Sequence, residues 1–186
     1  RKDRSKRRDH PELRGVGERC VVGFGSSGGP PMMNVLYNNH YQIVQSPGYV
    51  MIMAEMVHDA RVIRLDGKHP PEYITPWLGD SIGHWEGNTL VVETTNFNPQ
   101  HTFRGGLRHF FAITSGAIVT ERFTRISKDQ ILYRFYIDDP DIYSQVWAGE
   151  MPLRSVEDKI YEYACHEGNY SMANILAGAR EEEKRR

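Results

Sequence analysis

The chain has 186 residues, which is enough for one domain of ordinary size and too few for two complete ones. Hydrophobic residues make up 39% and charged residues 25%, so the chain can bury a core and is not disordered as a whole. The formal charge of −1 excludes the overall positive field of a dedicated nucleic-acid binder. No apolar run approaches the length of about 18 residues that a membrane-spanning helix needs, and no signal peptide is recognisable. We therefore expect a soluble globular protein.

The N-terminal part of the chain lacks the patterns of regular secondary structure. Arg1–Arg8 carries six basic residues, one acid and no apolar residue, so residues 1–10 are predicted to form a flexible basic arm. The run GFGSSGGPP at Gly23–Pro31 predicts an irregular loop. This loop lacks the Gly-Lys-Ser/Thr of a phosphate-binding loop, and Pro30 and Pro31 prevent a helix from starting there.

After this loop, apolar β-branched and aromatic residues alternate with polar residues in short segments. The turns between the segments are rich in Gly, Pro, Asp and Asn, and their shortness indicates antiparallel neighbours. The predicted strands are Tyr41–Gln45, Tyr49–Val57, Ala60–Leu65, Ile82–Trp85, Thr89–Phe97, Ile118–Ile126, Ile131–Ile137, Ser144–Pro152 and Ile160–His166.

Only the end of the chain has helical spacing. The pattern predicts a helix from Tyr170, with Asn169 or Ser171 as N-cap, and then a charged tail at residues 181–186. Sequential antiparallel strands followed by one helix are typical of an all-β, up-and-down β-barrel of lipocalin type, formed here by residues 11–180. Such a barrel holds either packed side chains or one small ligand. A β-sandwich is the alternative fold.

The two cysteines, Cys20 and Cys165, are 145 residues apart and match no zinc-binding or redox motif. In an oxidising compartment a disulfide between them would fasten the N-terminal arm to the last predicted strand. Two separate thiols are the alternative. None of the eight histidines has a spacing diagnostic of a metal site, so we expect neither a metal nor a cofactor.

The predicted strand Tyr49–Val57 is apolar on both faces, so we expect it to be covered on both sides, with Met53 in the core. Glu55 would then be a carboxylate in an apolar environment, which raises its pKa towards that of a general acid or base unless an arginine pairs with it. His58 follows the strand, at a position where a barrel would have its mouth.

The segment GDSIGHWEGNTLVVETTNF is the most distinctive in the chain. It places His84 and Glu86 together near the tip of a hairpin, with Trp85 between them. Such a pair can transfer protons, or bind a metal as two of three ligands, but the sequence shows no third ligand.

Two later strands carry further candidates. Glu121, Phe123 and Arg125 share one face of a strand, which predicts an internal Glu121–Arg125 ion pair beside a cavity. On the last predicted strand, Tyr163 and His166 lie on opposite faces. His166 begins half of the H-E-x-x-H zinc motif, but the second histidine is missing.

Four separated blocks, HDARVI, GHWEG, TLVV-TTNF and YEYACHEGN, resemble those of a large family of uncharacterised bacterial proteins, in the same order. The likeness covers about Pro11 to Glu183. Many members of this family carry export signals, which implies a periplasmic or secreted location. The resemblance implies no mechanism, so it assigns no catalytic residue.

These observations lead to a first hypothesis: a small barrel enzyme, a lyase, isomerase or cyclase, that acts on a hydrophobic or aromatic molecule by acid-base chemistry without a cofactor. A non-catalytic, lipocalin-like carrier is the alternative, and a structural protein with a filled barrel is a third. Homo-oligomerisation stays open. The candidate catalytic residues are Glu55, His58, His84, Glu121 and His166, and the candidate ligand-binding residues are Trp85, Phe123, Arg125 and Tyr163.

Overall fold

The computed structural model describes residues 8–105 and 110–185. Most of the predicted basic arm, residues 1–7, lies outside the described residues, as does residue 186 of the predicted tail. The strands are β1 Tyr41–Ser46, β2 Tyr49–Ala54, β3 Ala60–Leu65, β4 Asp80–Glu86, β5 Thr89–Thr95, β6 Phe103–Gly105, β7 Phe110–Ala112, β8 Ile118–Arg125, β9 Gln130–Asp138 and β10 Trp147–Arg154. The one long helix described, α1, is Tyr170–Lys184.

Eight of these strands form one curled sheet in the order β1-β2-β3-β4-β5-β8-β9-β10, and β6 and β7 form a separate hairpin. All neighbours are antiparallel except β3 and β4, which are parallel. This arrangement confirms the predicted all-β, barrel-like fold with a C-terminal helix. The curl is that of a half-barrel, because β1 and β10 end the sheet and do not pair with each other in the described chain.

The parallel step from β3 to β4 follows from a long connection, residues 66–79, which carries the chain back to the start of β3. Asn96 holds this connection, since its side-chain amide donates to the carbonyl groups of Pro70, Pro71 and Ile74. Asn96 has a φ of 57°, a left-handed conformation that asparagine tolerates better than most residues. Asn96 therefore ties the connection to the end of β5.

The core lies on the concave face of the sheet. On β2, Val50, Ile52 and Ala54 point inward and are buried, whereas Met51 and Met53 on the other face are only half-buried. The prediction that this strand is covered on both sides is therefore wrong. The core cluster is Met32, Val50, Ile52, Ile63, Leu90, Val92, Phe97, Phe111, Ile113, Ala117, Val119, Phe123, Tyr133, Phe135 and Ile137.

Strand β2 also ends earlier than predicted, at Ala54, because the next residues form a tight turn. Val57 and His58 have positive φ angles, 58° and 52°, which no strand contains. Glu55 and His58 therefore lie in the turn that leads to β3 and do not extend the inward face of β2.

The segment predicted as the last strand, Ile160–His166, is irregular and contains a turn. Its backbone donates to side chains of the turn after β2 and not to a neighbouring strand. Cys165 in this segment forms a disulfide with Cys20, which confirms the predicted pairing.

Helix α1 begins where the sequence predicts. The side chain of Asn169 accepts a hydrogen bond from Met172 N, so Asn169 is the N-cap. The helix continues through residues 181–184 and thus includes most of the predicted tail. No helix in the described ranges is long and apolar enough to cross a membrane.

Candidate functional site

A buried ion pair lies at the centre of the concave face. Arg61 on β3 and Glu121 on β8 form two hydrogen bonds, Nη1 to Oε2 and Nη2 to Oε1, the second 3.0 Å long. Tyr133 on β9 donates to Glu121 Oε1 over 2.6 Å. All three side chains are almost fully buried. Two strands, β4 and β5, lie between β3 and β8 in the sheet. The pair can bridge them because the sheet curls.

The predicted Glu121–Arg125 pair is wrong. Arg125 ends β8 and is exposed, and its guanidinium donates to the carbonyl groups of Ser127 and Lys128. Glu121 instead pairs with Arg61, whose alternation along β3 points it into the core. Burial alone would lower the pKa of Arg61, but the charge and hydrogen bonds of Glu121 outweigh it and hold that pKa above its ordinary value.

The glycine- and proline-rich segment of the chain, residues 22–32, covers this ion pair. We call it the plug, because most of its residues are buried against the concave face. Met32 N donates to Tyr133 Oη over 2.8 Å, and Tyr41 Oη donates to the Ser27 carbonyl over 2.8 Å. The plug therefore fills the position at which a lipocalin-type barrel would hold its ligand.

A second buried arginine, Arg104 on β6, anchors the plug from the hairpin side. Its Nη1 donates to the carbonyl groups of Gly29 and Pro30, at 2.9 and 3.0 Å. Its guanidinium also lies over the ring of Phe97, 5.3 Å from the ring centre. Burial, together with the nearby charge of Arg61, lowers the pKa of Arg104 to about 9, so the side chain still carries its charge at neutral pH.

Asp59 holds the start of the plug. Its Oδ2 accepts from Gly23 N over 2.6 Å. A Cβ atom at Gly28 would lie 3.0 Å from the Asp59 side chain, so only a glycine fits there without displacement. Burial raises the pKa of Asp59 to about 6, although the Gly23 hydrogen bond and the charge of Arg104 act in the opposite direction.

Glu55 is buried as predicted, but its partner is a histidine. His40 Nδ1 donates to Glu55 Oε2 over 2.8 Å, and Tyr161 N donates to Oε1 over 3.4 Å. Burial alone would raise the pKa of Glu55, but hydrogen bonds from His40, Tyr161 and Asn38 outweigh it and lower the pKa below its ordinary value. The expected raised pKa is therefore wrong, and Glu55 is a carboxylate that binds the C-terminal segment to the turn after β2.

His58 has a similar anchoring contact. Its Nε2 accepts from Tyr163 N over 3.2 Å. The ring of Tyr163 stacks on that of Tyr37, with centres 6.4 Å apart. The candidates Glu55, His58 and Tyr163 are thus brought together, and their contacts hold the chain ends against the sheet.

Of the remaining candidates, His84 and Trp85 are neighbours on β4, and His166 lies in the C-terminal segment. His84 is exposed and contacts Glu86 over 3.2 Å, and Arg122 donates to the other oxygen of Glu86 over 2.7 Å. Trp85 is about half exposed. His166 is exposed in the turn after Cys165.

Phe123 is a core residue that packs on Tyr133, with ring centres 4.9 Å apart. It lies beside the buried ion pair, because β8 alternates and places Phe123 two residues after Glu121 on the same face. Phe123 therefore lines the filled centre of the concave face.

The concave face has an open end, beside β9, β10 and the hairpin. There a cleft of about 610 Å³, which we call the aromatic cleft, is lined by Met33, Phe110, Phe111, Phe135, Tyr143, Ser144, Gln145, Trp147, Gly149, Glu150 and Met151. Trp147 packs edge-to-face against Phe111, Phe135 and Tyr143, with ring centres 5.6 to 5.9 Å away. A Cβ at Gly149 would lie 2.5 Å from the ring of Phe135, so the glycine makes room for that ring.

A second cleft, the terminal cleft, lies where the two ends of the chain meet. Its volume is about 430 Å³, and polar and apolar residues line it together with the disulfide: Arg14, Gly17, Glu18, Cys20, Phe24, Glu162, Tyr163, Ala164, Cys165, Gly168, Asn169, Ser171, Met172 and Ile175. None of the five candidate catalytic residues lines either cleft. Within residues 8–105 and 110–185, no group of three or more His, Cys, Asp or Glu side chains is placed to hold a metal ion.

Neither the hairpin β6–β7 nor the aromatic cleft is predicted from the sequence. Each strand of the hairpin has three residues, too few for an alternation pattern to be visible. A signal for the cleft was present, since aromatic residues are dense from Tyr133 to Trp147 and a glycine follows inside a strand. A glycine within a strand marks a place where another group approaches closely.

Comparison with known proteins gave no further assignment. No family model, no curated protein and no solved structure matches this chain.

Proposed function

We propose that this protein binds a flat, uncharged aromatic or apolar small molecule in the aromatic cleft. The observation that carries the proposal is the cleft itself, because its volume of about 610 Å³ lies within the range usual for small-molecule sites. Its walls include five aromatic side chains, three of which pack around Trp147, and two methionines, which adapt to irregular apolar shapes.

The chemistry of the cleft favours an uncharged ligand. Among the described residues, no lysine or arginine lines it, and the one charged residue in its described lining, Glu150, is bound by Arg134 over 2.6 and 2.9 Å. The hydroxyl of Tyr143 is also occupied, since it contacts the N–H and the carbonyl of Ala112. Ser144 and Gln145 supply the polar side chains that could bind one polar end of a ligand.

The geometry favours binding over catalysis. An acid-base enzyme needs at least two titratable side chains at one cavity, and the candidates Glu55 and Glu121 are instead held by partners inside the protein. A carrier needs an apolar cavity with few such groups, which is what the aromatic cleft offers. We therefore favour a carrier over a lyase or isomerase.

The test is titration with N-phenyl-1-naphthylamine, an uncharged aromatic dye whose fluorescence rises in apolar sites. Phe110→Ser should weaken binding by up to about tenfold, since an aromatic contact contributes about 0.5–1.5 kcal/mol beyond its buried area. Phe24→Ser is the matched control, because Phe24 is also a partly exposed phenylalanine but lines the terminal cleft. Weakening by Phe24→Ser alone would place the site in the terminal cleft and overturn the proposal.

We also propose a periplasmic or secreted location. The disulfide supports it, because cytosolic proteins generally keep their cysteines reduced. The resemblance to exported bacterial proteins agrees with this location. Alkylation of thiols in freshly lysed cells tests it, and two modified cysteines would contradict it.

A further inference from the structure

The two edges of the curled sheet differ in how they are protected against pairing with another strand. At one edge, β10 carries Glu150 and Arg154, and Pro152 cannot donate a backbone hydrogen bond. Charges and proline are the usual devices that prevent strand addition at an edge. The β10 edge is therefore blocked.

The other edge, β1, has none of these devices. Its sequence, YQIVQS, contains no charge and no proline, and it pairs with β2 over all six residues without a bulge. Residues 42–46 are exposed, so no other part of the described chain covers this edge. Its outward backbone groups are free to pair with a further strand.

Each face of strand β1 carries one partly exposed aliphatic residue beside polar ones. Ile43 lies on the concave face opposite Ile52, and Val44 lies on the convex face opposite Met51. Ile43 is 37% exposed and Val44 41% exposed. These exposed aliphatic side chains lie at the open edge, where a neighbouring strand would cover them.

We propose that β1 pairs with β1 of a second copy of this chain, antiparallel and about a two-fold axis, so that two half-barrel sheets join into one. The absence of charge in β1 supports a second copy, because no antiparallel register places like charges opposite each other. A two-fold contact uses the same patch twice, and an uncharged strand is complementary to itself. The formal charge of −1 per chain adds little repulsion between copies.

The test measures the oligomeric state of the whole chain by sedimentation velocity over a wide concentration range. The unaltered protein should be a dimer. Val44→Lys should raise the dimer dissociation constant roughly 100-fold or more, because it places like charges near one another at the contact. Val62→Lys is the matched control. Val62 is also about half exposed on the convex face, opposite Met51, but it lies two strands from the edge.

A charge exchange makes the test specific to this contact. Val44→Glu alone should also be monomeric, and an equal mixture with Val44→Lys should form dimers, because the two side chains then attract each other. If Val44→Lys loses its native circular dichroism spectrum, Gln42→Lys replaces it, since Gln42 is already exposed and polar. A monomeric unaltered protein, or a dimer that survives Val44→Lys, would overturn the proposal.

Discussion

The centre and the open end of the concave face show how one sheet can serve two purposes. At the centre, charged and hydroxyl side chains are buried under the plug and held by specific hydrogen bonds, although Arg61 Nε and Arg104 Nε and Nη2 have no partner in the described chain. At the end beside β10, the side chains are aromatic, their contacts are less specific, and a cleft stays open. Burial is costly for polar groups without partners, so the centre is closed over this hydrogen-bonded network, whereas apolar rings tolerate an unfilled space.

The largest expected effect tests the closed centre. Glu121→Leu should lower the free energy of unfolding by about 3–5 kcal/mol, because it leaves the Arg61 guanidinium buried without its partner. Urea denaturation measures this loss. The double variant Arg61→Met/Glu121→Leu should recover most of it, since neither member of the pair is then buried without the other. Glu150→Leu, which removes an exposed pair with Arg134, should cost only about 0–1 kcal/mol.

The disulfide should have the next largest effect, because it holds the segment that leads into the plug. Replacing both Cys20 and Cys165 by serine should cost about 2–4 kcal/mol, as expected for a cross-link that closes a long loop. Urea denaturation of the double variant and of the unaltered protein gives the difference. Two free thiols in the unfolded, unreduced protein would show that the bridge does not form.

The stability of the protein should also depend on pH through Asp59, which binds the start of the plug. Its pKa is about 6 in the folded protein, above its ordinary value, so the folded state binds the proton more tightly. The stability from this group is therefore complete below pH about 4 and is lost as the pH rises through about 6. Relative to the unaltered protein, Asp59→Asn should gain on the order of 1–3 kcal/mol between pH 4 and pH 7. A constant difference over this range would contradict the assignment.

The smallest expected effect concerns the cleft. Phe110 is 76% exposed, so Phe110→Ser should change the free energy of unfolding by at most about 0.5 kcal/mol. Phe97 is fully buried under Arg104, and Phe97→Ala should cost about 3–5 kcal/mol. Thermal unfolding of both variants measures the contrast. A large loss with Phe110→Ser would mean that the cleft wall also supports the fold.

Much of the fold could be predicted because it follows from local patterns. Ala60–Leu65 has the predicted bounds, and seven other strands were placed within a few residues of their observed ends. Turn residues and the Asn169 cap are equally local signals. Ile160–His166 alternates like a strand but is not one, because side chains of Glu55 and His58 accept its backbone hydrogen bonds.

The candidate site was harder to predict, because it depends on contacts between distant residues. Alternation on β8 correctly placed Glu121 and Phe123 on the inward face, but it could not show that Glu121 pairs with Arg61, which is 60 residues away in sequence. The aromatic residues of the cleft come from three strands and one loop, and no single stretch of the chain contains their pattern.

By itself, the sequence determined the strands, the helix and the inward faces, because periodicity and turn chemistry act over a few residues. It also limited the disulfide to one pairing, since the chain has only two cysteines. Only the tertiary structure decided that the sheet curls as a half-barrel, that the glycine-rich segment fills its centre, and that the open space lies at the β10 end. These features depend on which strands meet and which buried groups find partners, and both are set by contacts across the whole chain.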